Sequence, residues 1–184
     1  MSAPTAVTET QLPVGTWQLD PVHSSASFAV KHMVVATFRG HFDRFDVTLS
    51  VDDGGQARLD GTVDVSSIVV KDENLQAHLG SPDFFDLERY PELRFSSEQI
   101  RRSGDQLVVD GELTIKGKTL PLQARGTITE PVVTFGDVEK LGVELEATVD
   151  RTEYGLDWNA PLPKGGFALA NDVKLVVSLE LLKA

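Results

Sequence analysis

Residues 66–95 of this chain read SSIVVKDENLQAHLGSPDFFDLERYPELRF. On both sides of this stretch apolar and polar residues alternate, as they do in a half-buried β-strand. Within it the period changes, because Leu75 and Leu79 stand four residues apart. Asp72 suits the N-cap of a helix, and Gly80 stands where a left-handed C-cap would lie. The stretch therefore predicts an α-helix inserted into a β-structure.

A second short turn of helix is predicted directly after the first. Ser81 suits its N-cap and Pro82 its first position. Phe84 and Phe85 give this turn an apolar face, which needs an apolar surface to lie against. We therefore predict a helical insert at about residues 72–89 that lies as a plug or lid on the β-structure.

Alternation over the rest of the chain predicts about eight strands joined mostly by short turns. The inward parity changes between Phe42 and Phe45, which indicates a bulge near Asp43-Arg44. Eight antiparallel strands with one apolar face can close into an up-and-down barrel, which removes edge strands. A sandwich of two sheets is the alternative.

A barrel of eight strands is either filled by its side chains or wide enough for one slender ligand. Small residues recur on the predicted inward face: Ala26, Ala36, Gly40, Gly61, Gly111, Ala124, Gly126 and Ala147. They either leave room for a ligand or serve as packing partners of phenylalanines and as points of strong curvature.

Composition excludes several classes of function. The chain has 184 residues with 17 basic and 28 acidic ones, a net charge of −11, and no cysteine. The negative charge argues against nucleic acid and against an anionic membrane surface as partners. The lack of cysteine excludes disulfides and thiol catalysis. No apolar run reaches the roughly 18 residues of a membrane span.

The four histidines are His23, His32, His41 and His78. None has HxH or HExxH spacing, so we expect no metal site. Alternation directs His32 inward, either as a core or rim histidine with one satisfied hydrogen bond or as a contact to a ligand head group. For His23 we expect a structural bond to a nearby backbone carbonyl. The chain has no G-x-S-x-G elbow, and we expect no catalytic residue.

One long connection, residues 154–171, joins the last two predicted strands. Trp158, Leu162 and Phe167 are its candidate apolar anchors, so we expect it to fold over one end of the barrel. It either gates a mouth together with the insert or is a plain rim loop or subunit contact. Just before it, Arg151 is expected to pair with a carboxylate, with a grip on a pyrophosphate as the alternative.

Residues 78–97, HLGSPDFFDLERYPELRFSS, resemble the signature segment of the YceI-like, polyisoprenoid-binding family. Four other segments resemble that family in the same order: WQLDPVHSSASFAVKHM (17–33), FRGHFDRF (38–45), GELTIKGKTLPLQ (111–123) and ATVDRTEYGL (147–156). The family often has Arg-Asp before the His-Leu pair, and this chain has Gln76 and Ala77 instead.

The resemblance implies an all-β, eight-stranded antiparallel lipocalin-like barrel that binds a polyisoprenoid or similar long-chain amphiphilic lipid without catalysing a reaction. We expect no cofactor. Alternation supplies the candidate wall residues: Phe28, Val30, His32, Phe38, Phe42, Phe45, Leu113, Leu145 and Leu175. Phe84 and Phe85 are candidates to cap the lipid tail or to close the mouth.

We divide the chain into a flexible tail, residues 1–15, and one barrel domain, residues 16–184. The first residues lack the basic and apolar regions of a secretory signal, so we expect a cytoplasmic protein, although many relatives of the family are exported. Two alternatives to the carrier stay open. One is a small enzyme acting on an apolar substrate inside the barrel, and the other is a filled barrel serving as a structural or interaction module, including a homodimer.

Overall fold

A computed structural model describes residues 9–184 of the chain. Its strands are β1 Gly15–Leu19, β2 Ser25–His32, β3 Ala36–Phe42, β4 Phe45–Val51, β5 Ala57–Asp64, β6 Ile68–Val69, β7 Glu92–Ser103, β8 Gln106–Ile115, β9 Lys118–Ile128, β10 Val132–Val133, β11 Glu139–Asp150 and β12 Leu169–Lys183. The helix α1 spans Glu73–Gly80, and single 3₁₀ turns span Val65–Ser67, Phe135–Asp137 and Arg151–Tyr154.

These strands close into a barrel because β1 and β2 both pair with the last strand, β12. Leu19 lies opposite Leu181, and Ser25 lies opposite Ser178, so β1 and β2 are two halves of one long strand. Likewise β3 pairs with β2 while β4 pairs with β1. Counted in this way, eight long strands follow one another around the ring, each antiparallel to the next, and the first meets the last. The up-and-down barrel is confirmed, and the sandwich alternative is wrong.

The break between β3 and β4 lies where the parity change predicts it. β3 ends at Phe42, β4 begins at Phe45, and Asp43 and Arg44 stand between them. Phe42 pairs with Ile68, beyond the end of β5, while β4 pairs along the whole of β5. The long strand formed by β3 and β4 therefore bends at this point and follows the curved wall of the barrel.

The two ends of the barrel differ. At one end, the closed end, lie the turns 52–56 and 104–105, the connection 129–138 and the last residue of the chain. Trp17, Val109 and Leu181 are fully buried there. They belong to a closed-end core consisting of Leu12, Trp17, Leu19, Val47, Leu49, Val51, Leu59, Leu107, Val109, Ala124, Ile128, Leu141, Val143, Leu145, Leu179 and Leu181. This packed layer fills the barrel at that end.

The described end of the predicted tail contacts the barrel, while the division into a tail, residues 1–15, and one barrel domain stays a prediction. The backbone N–H of Thr10 donates to the carbonyl of Arg102 at 2.8 Å, and Arg102 Nη1 donates to the carbonyl of Gln11 at 3.0 Å. These bonds hold the segment against the closed end of the barrel. Residues 1–8, the rest of the predicted tail, lie outside the described part of the chain.

At the other end, the mouth end, lie the hairpin turn 33–35, the insert 70–91, the turn 116–117 and the loop 155–168. The helix of the insert begins as predicted, because Asp72 Oδ1 accepts a hydrogen bond from the backbone N–H of Leu75 at 2.8 Å. Its end is different. Ser81, in an extended conformation, follows Gly80, which is the last helical residue. The predicted left-handed cap at Gly80 is therefore wrong.

The second helical turn predicted after Ser81 is also wrong, and the insert has one helix. The backbone N–H groups of Phe85 and Leu87 donate back to the carbonyls of Leu79 and Gly80, at 3.0 and 2.9 Å. The segment thus wraps onto the end of α1 instead of starting another helix. Among residues 9–184, no helix is long and apolar enough to cross a membrane.

Candidate ligand-binding cavity

A cavity of about 730 Å³ occupies the barrel between the closed-end core and the mouth end. Its floor is made by Leu59, Ala124, Leu145 and Leu179, which belong to the closed-end core and also line the cavity. Above the floor the wall is almost wholly apolar, because alternate residues of each strand point inward. The alternatives of a filled and a hollow barrel are both realised, one in each half of the molecule.

All eleven predicted ligand-binding residues line this cavity: Phe28, Val30, His32, Phe38, Phe42, Phe45, Phe84, Phe85, Leu113, Leu145 and Leu175. The nine strand residues are there because alternation directs them inward. Among them Phe28 packs against Phe38 and Phe42, with ring centroids 6.1 and 5.8 Å apart. That these residues contact a ligand stays a prediction.

The inward small residues divide into two groups. Ala26, Ala36, Gly61, Ala124 and Ala147 line the cavity. Each of them leaves space inside the barrel that a larger side chain would fill.

The three remaining inward small residues, all of them glycines, permit close packing. A Cβ on Gly40 would lie 2.5 Å from the ring of Phe28, and one on Gly126 would lie 1.8 Å from the carbonyl oxygen of Glu144. A Cβ on Gly111 would lie 2.3 Å from the carbonyl oxygen of Ser96. These glycines therefore let rings and neighbouring strands approach, which is the second role that the sequence leaves open.

An aromatic cluster of Phe84, His78 and Trp158 joins the insert to the loop at the mouth end. The ring centroid of His78 lies 5.0 Å from that of Phe84 and 4.9 Å from that of Trp158, both edge to face. Phe84 and Trp158 are 5.6 Å apart. Nε2 of His78 is held by the carboxylate of Asp83 at 3.0 Å. Phe84 and Trp158 thus cover part of the cavity from opposite segments.

The loop 155–168 is held by a buried arginine. Arg151 Nη1 donates to the carbonyls of Leu156 and Trp158, at 2.5 and 2.9 Å, and Nε donates to the carbonyl of Ala170 at 2.9 Å. The expected carboxylate partner of Arg151 is therefore wrong, since backbone carbonyls occupy its donors. Burial lowers the pKa of Arg151, an effect that the charge of Asp150 opposes.

One atom of this arginine has no partner. Arg151 is 6% exposed, and its Nη2 is buried without a hydrogen-bond partner in the described part of the chain. Arg151 and its neighbour Tyr154 both line the cavity, and burial raises the pKa of the Tyr154 hydroxyl. Together these two side chains make a polar spot on an apolar wall.

Of the three predicted anchors of the loop, Trp158 is packed as expected and Phe167 is exposed. Asn159 also holds the loop and was not predicted from the sequence. Its side-chain oxygen accepts from the backbone N–H of Leu169 at 3.0 Å, and its Nδ2 donates to the carbonyl of Leu169 at 2.7 Å. Nothing in the local pattern distinguishes Asn159 from any other loop amide, because its partner lies ten residues away.

The remaining histidines lie at the rim or outside the cavity. His32 is exposed at the rim, and His41 is exposed beside Asp43. His23 bonds to the carboxylate of Asp20 at 2.9 Å, so the expected backbone carbonyl is wrong. This hydrogen bond lowers the pKa of Asp20 to about 2 and raises the pKa of His23.

Asp20, His23 and Glu180 bring three potential ligand atoms within 4.8 Å of one another. The ammonium group of Lys140 already lies 2.5 Å from a carboxylate oxygen of Glu180 and 3.5 Å from one of Asp20. The group is therefore an ion-pair cluster on the outside of the wall, which ties the bend between β1 and β2 to β12.

The fold and the cavity together define a hollow eight-stranded antiparallel barrel, packed at one end and lined by apolar side chains at the other. Residues 17–181 match the family model of the YceI-like domain. The chain belongs to the YceI-like family.

Relatives and solved structures agree with this assignment. A UPF0312 protein of Staphylococcus aureus strain USA300 is 32% identical over 167 residues, which cover 88% of this chain and 94% of the relative. A UPF0312 protein of strain MW2 is 33% identical over the same lengths.

Among solved structures, BcnA of Burkholderia cenocepacia superposes with a TM-score of 0.74 at 23% identity, over 88% of this chain and 98% of BcnA. A polyisoprenoid binding domain from Saccharophagus degradans, implicated in plant cell wall breakdown, superposes with a TM-score of 0.68 at 11% identity. That match covers 91% of this chain and 98% of the domain. At these identities the two likenesses concern the fold.

Proposed function

We propose that this protein is a non-enzymatic carrier that holds a polyisoprenoid or similar long-chain amphiphilic lipid in its barrel. The observation that carries the proposal is the apolar cavity of about 730 Å³ above the closed-end core. Its volume lies in the range of about 300–1,000 Å³ that is usual for sites of small ligands. The polyisoprenoid binding domain of Saccharophagus degradans, which has the same fold, supports the choice of ligand class.

Burial of the chain supplies the affinity in this proposal. Each methylene removed from water contributes about 0.8 kcal/mol. About ten buried methylenes then contribute roughly 8 kcal/mol, before the cost of ordering the ligand is subtracted. The aliphatic and aromatic wall offers contacts along the whole depth of the cavity without requiring any fixed position of the chain.

The polar spot at Arg151 and Tyr154 supports an amphiphile over a pure hydrocarbon. A buried donor without a partner costs free energy, and an oxygen atom of a ligand head group would remove that cost. The guanidinium Nη2 of Arg151 is such a donor, at the end of β11 on the mouth side. The proposed ligand therefore places its tail on the floor and its oxygen-bearing head near Arg151.

Native mass spectrometry and binding titrations test the proposal with a matched pair of variants. Ala147 lines the cavity, whereas its neighbour Thr148 is exposed on the outer face of the same strand. Ala147→Phe fills part of the cavity, so we expect it to weaken the binding of geranylgeraniol and palmitate by about tenfold or more, which corresponds to roughly 1.4 kcal/mol. Thr148→Phe is expected to leave binding unchanged.

Two outcomes would contradict the carrier: the wild-type protein takes up neither ligand, or both variants bind as the wild type does. If instead hexadecane binds as tightly as palmitate, the cavity stays a hydrocarbon site and the head-group role of Arg151 and Tyr154 is refuted. A cytoplasmic location and a homodimer stay predictions from the sequence.

A further inference from the structure

The hairpin between β2 and β3 ends in exposed apolar residues at the mouth of the barrel. Met33, Val34 and Val35 are 40, 71 and 86% exposed. The backbone N–H of Met33 donates to the carbonyl of Ala168 at 2.7 Å, which brings Phe167, 59% exposed, next to the same tip. We call Met33, Val34, Val35 and Phe167 the mouth patch. It continues into the cavity, since Met33 and Ala168 also line that space.

The backbone of this tip adopts a conformation that valine rarely takes. Met33 and Val34 have φ values of 50° and 66°. For a β-branched residue the left-handed region is a true outlier, and such strain concentrates at functional segments. A turn of this kind would accept glycine or asparagine more easily than valine. Neither Val34 nor Val35 lines the cavity or belongs to a buried core cluster, so packing does not explain their apolar character.

The charge around the mouth patch differs from that of the whole chain. Residues 21–42 and 158–171 contain no aspartate or glutamate, although the chain has 28 acidic residues. Lys31, Arg39 and Lys164 are exposed in these segments, and no carboxylate in residues 9–184 lies within 4 Å of them. The net charge of −11 therefore does not describe the patch itself, and the exposed Asp157 and Asp172 border it at the ends of the second segment.

The strand register fixes where Lys31 and Arg39 lie relative to the apolar tip. Lys31 pairs with Thr37, and Arg39 pairs with Ala29, so both cations point to the outer face of the hairpin, behind its tip. An apolar tip with cations a short distance behind it is the arrangement that binds an interface between lipid tails and head groups. The tip enters the acyl region while the cations stay among anionic head groups.

We infer that the mouth patch docks the protein onto a lipid bilayer, with the mouth of the barrel facing the lipid. The acid-rich insert joins the mouth beside β3 by way of β6, so in this arrangement the barrel meets the bilayer tilted onto the side of β2 and the loop. A lipid chain then passes between bilayer and cavity without crossing water. Docking itself does not depend on which ligand the cavity holds.

A second copy of this chain fits the patch less well than a bilayer does. A two-fold symmetric contact through the mouth patch would bring Lys31, Arg39 and Lys164 of both copies to the same interface. Like charges across an interface disfavour association. A bilayer with anionic lipids supplies the opposite charge.

The chain offers a matched control at its closed end. Val132 and Val133 are 60 and 64% exposed, and Phe135 is fully exposed. These apolar residues are flanked by Glu130 and Asp137 instead of by cations. If exposed apolar area alone caused adsorption, both ends of the barrel would bind lipid equally.

Flotation with vesicles of phosphatidylcholine containing about a third phosphatidylglycerol tests the inference. We expect the wild-type protein to float with the vesicles and the double variant Val34→Asp, Val35→Asp to bind at least about tenfold more weakly. The double variant Val132→Asp, Val133→Asp is expected to bind within about twofold of the wild type. Aspartate tolerates a positive φ better than valine, so the first variant keeps its fold, which circular dichroism checks.

Several results would overturn the inference. The wild-type protein stays with the buffer, or the two double variants lose vesicle binding equally, or neither loses it. Sedimentation velocity tests whether a second copy of the chain occupies the patch instead. If the wild type is a dimer, and the double variant at Val34 and Val35 is a monomer that still binds vesicles, the patch belongs to a dimer interface. Solution affinity for palmitate, measured on the same variants, separates failed docking from a failed cavity.

Discussion

At the scale of single residues, Arg151 is a buried charged side chain that holds the loop at the mouth end. Its guanidinium group satisfies three backbone carbonyls, those of Leu156, Trp158 and Ala170. Because these carbonyls lie at the two ends of the loop, in residues 156–158 and at the start of β12, one side chain joins its two ends. The neighbouring aromatic ring of Trp158 is held over the cavity as a consequence.

We predict that Arg151→Met lowers the free energy of unfolding by roughly 3 kcal/mol, since each buried carbonyl left without a donor costs about 1–3 kcal/mol and the loop relaxes in part. Urea unfolding followed by circular dichroism measures the change. Arg94→Met is the control, because Arg94 is an exposed arginine paired only with Glu92. Such surface pairs contribute little. Equal losses in the two variants would contradict the role given to Arg151.

At the scale of elements, the bend between β1 and β2 is fastened to β12 by charge. Asp20, in the bend, bonds to His23, and Lys140 joins Asp20 to Glu180 of β12. This bend lets one long strand turn around the barrel while keeping its pairing on both sides. Without these ion pairs, the two halves of that strand would separate from β12 more easily.

The pKa shifts in this cluster predict a pH dependence. The hydrogen bond from His23 lowers the pKa of Asp20 from 3.8 to about 2, so the stability from Asp20 is complete above its unfolded pKa and is lost as the pH falls toward 2. The pKa of His23 is raised above 6.5 by the same bond, so its contribution is complete below 6.5 and is lost as the pH rises through the folded value. Both contributions are present between pH 3.8 and 6.5.

We therefore expect the wild-type protein to have a higher urea midpoint than His23→Gln at about pH 5.5, and the difference to disappear by about pH 8.5. Comparing the two proteins at each pH removes most of the general effect of net charge, which is shared by both. A difference that stays constant over this range would show that His23 acts without its charge.

At the scale of the whole molecule, one half of the barrel is packed and the other half is hollow. Val109, Leu141 and Leu181 belong to the packed half and are almost fully buried. The insert and the loop 155–168 contribute Leu79, Phe84 and Leu156 to a second, smaller apolar cluster that borders the cavity. Local opening is easier where few buried apolar contacts must be broken.

We predict that hydrogen exchange is slowest in β1, β8, β11 and β12 near the closed end and fastest in the insert and the loop 155–168. Palmitate should slow exchange in these mouth-end segments first, because a ligand supplies the contacts that the cavity lacks. Ala147→Phe should remove the effect of palmitate. Uniform exchange through the barrel, or protection confined to the closed end, would contradict this division of the molecule.

The sequence by itself determined the strands and the direction of their apolar face. Strand alternation places Phe28, Leu113 and Leu175 inside because the period of a strand is two, and this rule needs no knowledge of neighbouring strands. The parity change at Asp43-Arg44 and the cap at Asp72 are local in the same sense. Local signals of this kind can be recognised in a single sequence because the residues involved are close together in the chain.

Only the tertiary structure decided where the barrel is hollow and how its mouth is held. Gly61 lines the cavity, whereas Gly126 lets a neighbouring strand approach closely. No sequence pattern distinguishes these two glycines, because the difference depends on which strand lies next to each of them. The carbonyl partners of Arg151 were likewise mispredicted, and one of them, Ala170, lies nineteen residues along the chain. The exposed, acid-free patch around Val34 arises because two segments more than a hundred residues apart in the chain meet at one rim. Contacts between distant segments depend on closure of the barrel, which a linear pattern does not encode.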